Sequence, residues 1–551
     1  MSLMCGVGEV PLAFPDGLGL AGYGPLAGTG IHHEGRTNGL FARVLSLHDE
    51  ATGTRVHFVF VDLWTGSSYV HQRVCDALSL ADHEVLMVGT HTHSAPGHFA
   101  GNRLYDAFGQ SPGGFREDVA NHIADVIIAA IHAAVPTTPC KLAVLRSTAP
   151  RIGRLRSLEA FLRNFPPRSD WASTWRRRLG IPPEPDTPTD PHELGVDPRL
   201  WSLWAFDLEG RLIATFATTT THNASLGRDF EAYHPDWAGV AVAALRGTLG
   251  PVWASVAQGA AGDVTAIPVG QTFRSLGLPL TQRIGKAFGA AWAALHDEAR
   301  AKASDLRIEL GFQRWRPGDD DLESWAIGQP VINGCDESRS PWYLPVLGEP
   351  RTTLIPWAQL ERVFGFRHDQ APKQRAFYAL DPVIRRFFTD LAPAPEHPLH
   401  LVRFGDHIFF TLPGEVTGVA ALRLERALLT RAASLGLPLV SASPIALTND
   451  FCGYITTEAE YDAQHYEGAH NLYGRRTLAA VERRFTSLLY RGGLHVDPTE
   501  RFEVGPKDRM SSDEFQTKVM RLIEAAALPL RIAGLVERSL RRFTLPLRRS
   551  S

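Results

Sequence analysis

The sequence predicts a layered α/β fold, and two observations carry that prediction. Short runs rich in valine, phenylalanine and threonine alternate with longer stretches in which apolar residues recur every three or four positions. Several of the short runs end in a histidine or lead through a tight turn to a glutamate, so polar side chains gather where strands stop. The 551 residues, 44% hydrophobic and 21% charged, describe an ordinary globular protein with a large core. A formal net charge of −3 gives no global attraction to a polyanion, so nucleic acid is not an expected partner.

Cys5, Cys75, Cys140, Cys335 and Cys452 are scattered, odd in number and without a CxxC spacing. That pattern speaks against a disulfide framework or a cysteine zinc site and for a reducing compartment. The N-terminus MSLMCGVGEV has neither a charged segment nor a continuous apolar one, so no secretory signal is expected. No apolar run approaches the roughly 18 residues of a membrane span. The expected location is cytoplasmic, with any membrane contact made from the surface.

Along the chain, Arg55 to Val61 (RVHFVFV) reads as a strand, and Val85 to Val88 reads as a short buried one. The latter runs into GTHTHS at Gly89 to Ser94. Residues two apart on a strand share a side, so His91 and His93 are expected to present two imidazoles to one place. Imidazole is a common zinc ligand, and the competing reading is a hydrogen-bonded polar pair at a strand end. Phe115 to Ala134 carries apolar residues at helical spacing, and Lys141 to Leu145 reads as a strand. Pro166 to Pro198, rich in proline, aspartate and arginine, reads as an exposed insertion or flap. Phe216 to Thr221 is a β-branched strand ending at His222.

A second irregular stretch runs from Trp315 to Pro356. The strand Ile408 to Leu412 passes through a Pro-Gly turn to Glu415, with a helix behind it. A carboxylate there is placed to face a cleft, although an acidic residue in a helix's first turn needs no function. Asn449 to Gly474 crowds four tyrosines and two histidines together, a pattern that serves packing as well as chemistry. From about Asp497 the character changes. Ser511 and Ser512 open a capped amphipathic helix to Leu528, and beyond it Arg531, Arg538, Arg541, Arg542, Arg548 and Arg549 alternate with apolar residues. Such a tail suits an anionic lipid surface, or a solvated helix or frayed end. No repeat at a solenoid period is present.

Taken in order, AGYG at Ala21 to Gly24, GTHTHSAPG, FATTTTHNAS, QGAAGDVTAI at Gln258 to Ile267, LPGEVTG and GYITTEAEYDAQHYEGAHNLYG resemble the neutral ceramidase family. The resemblance covers roughly residues 6 to 495 and rests on separated motifs in the family order. It implies a large, layered mixed-sheet α/β catalytic domain over residues 1–496, followed by a helical, basic tail over 497–551. Family members commonly carry a secretion signal and a C-terminal immunoglobulin-like domain. The residues after Asp497 are too few for such a domain of about 100 residues, so the catalytic domain alone is expected.

The resemblance further implies one catalytic zinc held by His91, His222, Glu415 and Tyr454. His93 and Tyr466 correspond to active-site groups that do not bind the metal, one to carry a proton and the other to hold a developing oxyanion. An arginine of the family's R-S motif falls on Arg156, with Arg154 as the competing register. Where the family reads GDVS this chain reads GDVT, so Thr265 stands in place of a serine proposed to act at the reacting carbonyl, and its added methyl group stiffens the side chain. Asp263 beside it reads as structural. The implied reaction is zinc-dependent hydrolysis of the N-acyl amide of ceramide or a ceramide-like lipid, with Phe161, Trp171 and Trp175 helping to wall an acyl groove. The alternatives are the same centre acting as an intracellular amidase, esterase or acyltransferase on another lipid-like substrate, and an inactive lipid-binding relative.

Overall fold

The computed structural model describes residues 3–24, 28–31, 39–110, 114–135, 137–182, 187–322, 325–328, 330–335, 370–373 and 393–497. Its strands in chain order are β1 (Leu3–Leu12), β2 (Leu40–Asp49), β3 (Thr54–Val61), β4 (Val85–Gly89), β5 (Thr138–Thr148), β6 (Arg154–Leu155), β7 (Arg199–Asp207), β8 (Leu212–Thr219) and β9 (Trp253–Gln258). They continue with β10 (Val264–Thr265), β11 (Ile308–Trp315), β12 (His397–Phe404), β13 (His407–Thr411), β14 (Glu415–Val416), β15 (Ser441–Ile445) and β16 (Tyr454–Ile455). The longer helices are α1 (Ser68–Leu78), α2 (Glu117–Ala133), α3 (Trp171–Leu179), α4 (Asp236–Leu249), α5 (Leu278–Ala293), α6 (Gly418–Leu435) and α7 (Thr477–Ser487).

Eight strands form one sheet in the order β4-β3-β2-β1-β5-β7-β8-β9, and four form a second in the order β11-β12-β13-β15. Both are mixed. The pairs β3/β4, β8/β9 and β13/β15 are parallel, and every other pair in these sheets is antiparallel. The alternating side chains of each strand explain why the sheets stack. In β3, Phe58 and Phe60 join Phe216, Val402, Phe404 and Phe409 in a core between the two sheets, with Phe216 and Phe409 ring centroids 5.4 Å apart. Val59 and Val61, on the opposite face, pack with Ile123 and Ile127 of α2.

The far side of the second sheet is covered likewise, Leu401 and Phe410 meeting Leu424 and Leu428 of α6 and Phe485 of α7. On the other half of the large sheet, Trp204, Phe206 and Val256 pack under Trp237 of α4 and Phe288 and Trp292 of α5. The result is a helix–sheet–sheet–helix sandwich. A strand covered on both faces reads as a continuous apolar run, which is why RVHFVFV stands out in the sequence. The periodic stretch Phe115 to Ala134 is α2, with Val119, Ile123, Ile127 and Ile131 buried at helical spacing.

Most of the described residues of the Pro166–Pro198 segment are partly or fully buried, so the expected exposed flap is anchored. Asp170 caps α3 by accepting from the Ser173 amide, and Gly180 ends it in the left-handed region at φ 65°. Trp175 is fully buried in a separate small core with Leu155, Phe161, Phe165, Leu179, Val264, Val419 and Leu422. Phe161 faces inward as a packing residue, which corrects the expectation that it walls a groove. Trp175, though fully buried, also lines a cavity with Ile152, Leu179, Val196 and Thr221. Trp171 lies partly buried against the same core. The five cysteines form no disulfide. Among the described residues no helix is long and apolar enough to cross a membrane. The capped helix expected after Ser511 and the arginine-rich tail lie outside the described residues, as does most of the Trp315–Pro356 stretch.

Several histidines are built into the core as neutral groups. Burial pushes His57, beside Ser46, and His234 down to about 4, and His407, set between Ser441 and Ser443, down to about 3. An unfolded histidine titrates near about 6.5, so below that pH the unfolded chain takes up protons that the folded chain refuses. The stabilisation is complete above about pH 6.5 and is lost as the pH falls toward 4. Thermal unfolding of chelator-treated protein is expected to show a Tm that is flat near pH 7 and falls steadily between pH 6.5 and 4, with a shallower slope for His407→Gln. A Tm that holds constant down to pH 5 would contradict this.

Candidate active site

The segments leaving several strands meet in one region: the Leu447 carbonyl, after β15, accepts from Gly66 N, after β3, and from Gly89 N at the end of β4, Ala446 N donates to Gln258 O at the end of β9, and the His91 and His222 rings, after β4 and β8, are 5.0 Å apart. Beyond β4 the chain passes very close to the segment leaving β3. A Cβ on Gly89 would stand 2.5 Å from the Thr65 Cα, so only glycine fits there. The crossing continues the ladder, with Thr90 N donating to Val61 O and His91 N to Leu63 O. Asp62 ties it down by accepting from Arg43 at 2.8 Å and from the Thr90 hydroxyl at 3.2 Å.

His91 has φ 69°, in the left-handed region. His91 and His93 do share one place, with Nε2 atoms 3.3 Å apart, but not by strand alternation. The strand ends at Gly89, and the turn at His91 directs both imidazoles.

His222 follows β8, and its backbone amide and Nδ1 both donate to Val264 O, at 3.2 and 3.0 Å. Its own carbonyl accepts from the Trp237 indole at 2.8 Å. Glu415 opens β14, which pairs in parallel with β16 and sets Glu415 directly beside Tyr454. The preceding Gly414 is required because a Cβ there would stand 2.4 Å from Gly453 O.

His91 and His222 are each 2% exposed and Glu415 6%. One ligand atom from each of the three lies within 4.8 Å of the others. His222 Nε2 is 2.7 Å from Glu415 Oε2, and His91 Nε2 is 3.6 Å from Oε1. Because a carbonyl oxygen only accepts, His91 Nδ1 must donate to Trp64 O at 2.6 Å, as His222 Nδ1 does to Val264 O. In the neutral rings the protons are on Nδ1, and the lone pairs of both Nε2 atoms face the carboxylate. Burial pushes His91 down to about 4, so it is neutral near pH 7. Burial would raise the Glu415 carboxyl, but positive charge beside it, from His91 and His222 when they are protonated and from Arg156, holds the group well below the usual carboxylate range. Acceptors facing one another at this distance are reconciled by a cation. Two imidazoles whose far nitrogens are fixed by carbonyls, plus a carboxylate, fit a divalent transition metal such as zinc.

Tyr454 lies beside this group. Its hydroxyl accepts from Arg156 Nη2 at 2.9 Å, and burial holds the phenol well above its ordinary pKa. Arg156 also donates to Gly262 O at 2.7 Å and to Glu467 at 2.8 Å, and its guanidinium lies 5.2 Å from the Tyr466 ring centre. Tyr466 packs edge-on to Tyr454 at 5.7 Å. The two registers of the R-S motif are thereby separated, since Arg154 instead donates to Ile267 O. His93, only partly buried, borders the centre at its more open side.

Among the described residues, no hydrogen bond joins the Thr265 side chain to His91, His222 or Glu415. Its hydroxyl accepts from the Ile267 amide at 3.2 Å, and its neighbour Val264 is the residue that orients His222. Asp263 accepts from the Gly418 amide at the start of α6, a structural role as the sequence suggests.

Sequence reasoning missed Glu467, which accepts hydrogen bonds from Arg156 Nε at 2.8 Å and from the Ser157 hydroxyl at 2.6 Å. Its signal was available, as an acid beside Tyr466 in QHYEG. The Trp64 and Val264 carbonyls left none, because backbone acceptors have no residue type. A second possible ligand group, His71, Cys75 and Asp82, is already committed: His71 Nε2 faces the carbonyls of Asp82 and Val85, and Asp82 pairs with Arg314.

The sequence pattern described as neutral/alkaline non-lysosomal ceramidase, N-terminal, matches residues 14–265 and 387–483. The neutral ceramidase of Pseudomonas aeruginosa is 26% identical over 552 aligned positions, spanning 91% of this chain and 74% of that protein. The neutral ceramidase of Mycobacterium tuberculosis is 27% identical, spanning 84% and 72%. Among solved structures, the crystal structure of the Pseudomonas aeruginosa neutral ceramidase superimposes with a TM-score of 0.68 at 24% identity, covering 91% of this chain and 76% of that one. A ceramidase complexed with C2 gives 0.69 at 22% identity, covering 91% and 77%. These likenesses show the mixed-sheet α/β fold.

Purified protein is expected to carry close to one equivalent of transition metal by mass spectrometric metal analysis, and His91→Ala and Glu415→Ala close to none. Full metal content in either variant would remove that residue from the ligand set.

Proposed function

The chain belongs to the neutral/alkaline non-lysosomal ceramidase family, and on that footing we propose that it hydrolyses the N-acyl amide bond of ceramide or a ceramide-like lipid with one zinc ion. The observation that supports this most is the convergence of two Nε2 lone pairs and the Glu415 carboxylate, a buried acceptor set that suits a cation. His91, His222 and Glu415 would hold the metal, with Tyr454 as the fourth ligand. Zinc bound there supplies Lewis acidity toward an amide carbonyl and acidifies a water to near neutral pH.

The chain's own residues account for the remaining requirements. His93 stands against His91 on the more open side, where it takes the proton of the attacking water and returns it to the leaving amine. Arg156 is locked by Glu467 and Gly262 O with its guanidinium near Tyr466, so both present donors to the oxygen that gains charge. Tyr466 suits this task because burial keeps its phenol protonated, its pKa raised well above the ordinary value. Thr265 supports the site through the backbone turn that carries Val264, so no nucleophilic step is assigned to it. The amide bond breaks to a carboxylic acid and a free amine, with water supplying the hydroxyl and the proton. The partner is therefore a lipid-like N-acyl amide, and the arginine-rich segment beyond Asp497 is the part we assign to the membrane surface where such a lipid resides.

Release of free amine from N-acylsphingosines of several acyl lengths, compared with simple N-acyl amines and acyl esters, tests the substrate class. Cleavage of the N-acylsphingosines is expected, with His93→Ala slower by about 10²–10⁴-fold at unchanged metal content. Inert N-acylsphingosines alongside turnover of the simple amides would reject the ceramide assignment while keeping the metal centre.

A further inference from the structure

The AGYG motif at Ala21 to Gly24 supplies neither a ligand nor a proton, yet it abuts the active site. Its turn is stitched to the segment that follows His93: Ala21 N donates to Ala95 O at 3.0 Å, Gly97 N donates to Gly19 O at 2.9 Å, and Leu20 bridges Pro96. Gly22 N donates to Gly109 O at 3.1 Å, which fixes the turn from its other side. Gly22 has φ +90°, open to glycine and strained for any L side chain.

Its Cα also lies flat against the His93 ring. A Cβ added there would stand 2.6 Å from both Cγ and Nδ1 of His93 and 2.8 Å from Cδ2. Those atoms include the root of the imidazole, so the clash cannot be relieved by a flexible tip. Next to it, the Tyr23 ring meets His93 edge-on, with centroids 4.6 Å apart at 71°. On the third side stands the His91 ring at 4.7 Å and 82°.

We propose that the Ala21–Gly24 turn is a positioning clamp for His93, in which Gly22 and Tyr23 set the plane of the imidazole and hold its Nε2 toward His91. A histidine has two side-chain torsions, and three walls around the ring leave little freedom in either. His91 and His222 are each fixed by a carbonyl acceptor on Nδ1, so the ligands take their orientation from hydrogen bonds. On His93 the turn bears directly, through the contacts of Gly22 and Tyr23 with the ring. A proton carrier must meet the reacting atoms within about 3 Å, and a shift near 1 Å can cost on the order of 10²-fold in rate. The inference rests on the reading of His93 as that carrier.

The test is a double-mutant cycle with a structural readout. Gly22→Ala and Tyr23→Ala are made in the wild-type and His93→Ala backgrounds, assayed on an N-acylsphingosine with metal content and Tm recorded. Each is expected to lower kcat by about 10–10²-fold with little change in KM or bound metal when His93 is present, and to add no further loss when it is absent. Tyr23→Phe, which keeps the ring, is expected to recover most of the Tyr23→Ala deficit, and it carries the test if Gly22→Ala fails to fold. A crystal structure of Gly22→Ala should show the His93 ring turned while His91, His222 and Glu415 keep their places. Equal losses in both backgrounds, or an unmoved ring, would overturn the clamp. A His93→Ala enzyme with wild-type turnover would instead overturn the proton-carrier reading beneath it.

Discussion

Two imidazole lone pairs and a carboxylate meet in a pocket almost closed to water, and nothing in that trio can donate once the histidines are neutral. The Nδ1–H groups of His91 and His222 donate hydrogen bonds to the Trp64 and Val264 carbonyls, and Glu415 is ionised. Buried acceptors turned on one another carry a desolvation cost and suit a cation between them. A divalent cation turns the same geometry into a coordination site. Much of the surrounding architecture serves to keep these three groups together against their mutual repulsion.

The means are mostly backbone. Glycines permit the approaches that side chains would block, Gly89 against Thr65 and Gly414 against Gly453. Each ligand is anchored by a neighbouring segment rather than by its own, since His91 depends on the β3 exit, His222 on β10, and Glu415 on the pairing of β14 with β16. Fixing ligands in this way orients them before any metal arrives, and such partners typically matter about 10–100-fold for metal affinity or activity. The buried Arg43–Asp62 pair contributes at one remove by joining the β3 exit to Thr90. A cluster with donors in place already, such as His71 with its two carbonyls, exerts no comparable demand for a cation.

How far the sequence revealed this depends on what kind of interaction was involved. Strands covered on both faces, such as β3, and the amphipathic α2 were legible because burial leaves a period in the residue types. That His91, His222 and Glu415 belong together was legible through separated motifs in a recognised order, and His91 with His93 through their proximity, although the strand-alternation argument gave the right neighbours for the wrong geometric reason. The choice between Arg154 and Arg156 was not legible, because two residues of offset carry no spacing signal until Glu467 and Tyr454 come into contact with one of them. Phe161 looked like a groove residue because aromatic side chains beside a polar insertion attract that reading, whereas it packs in a small core that ties the insertion to Val264, Val419 and Leu422. Thr265 matched a motif position, but only coordinates show its hydroxyl turned to the Ile267 amide.

The claim on which the account depends is that a metal resolves the conflict among His91, His222 and Glu415. Crystals of protein purified without chelator, measured on both sides of the zinc absorption edge, test it directly. The account predicts one anomalous peak between the three side chains, about 2.0–2.2 Å from His91 Nε2, His222 Nε2 and a Glu415 oxygen. An empty position there in metal-supplemented crystals, or a peak only at His71, Cys75 and Asp82, would contradict it.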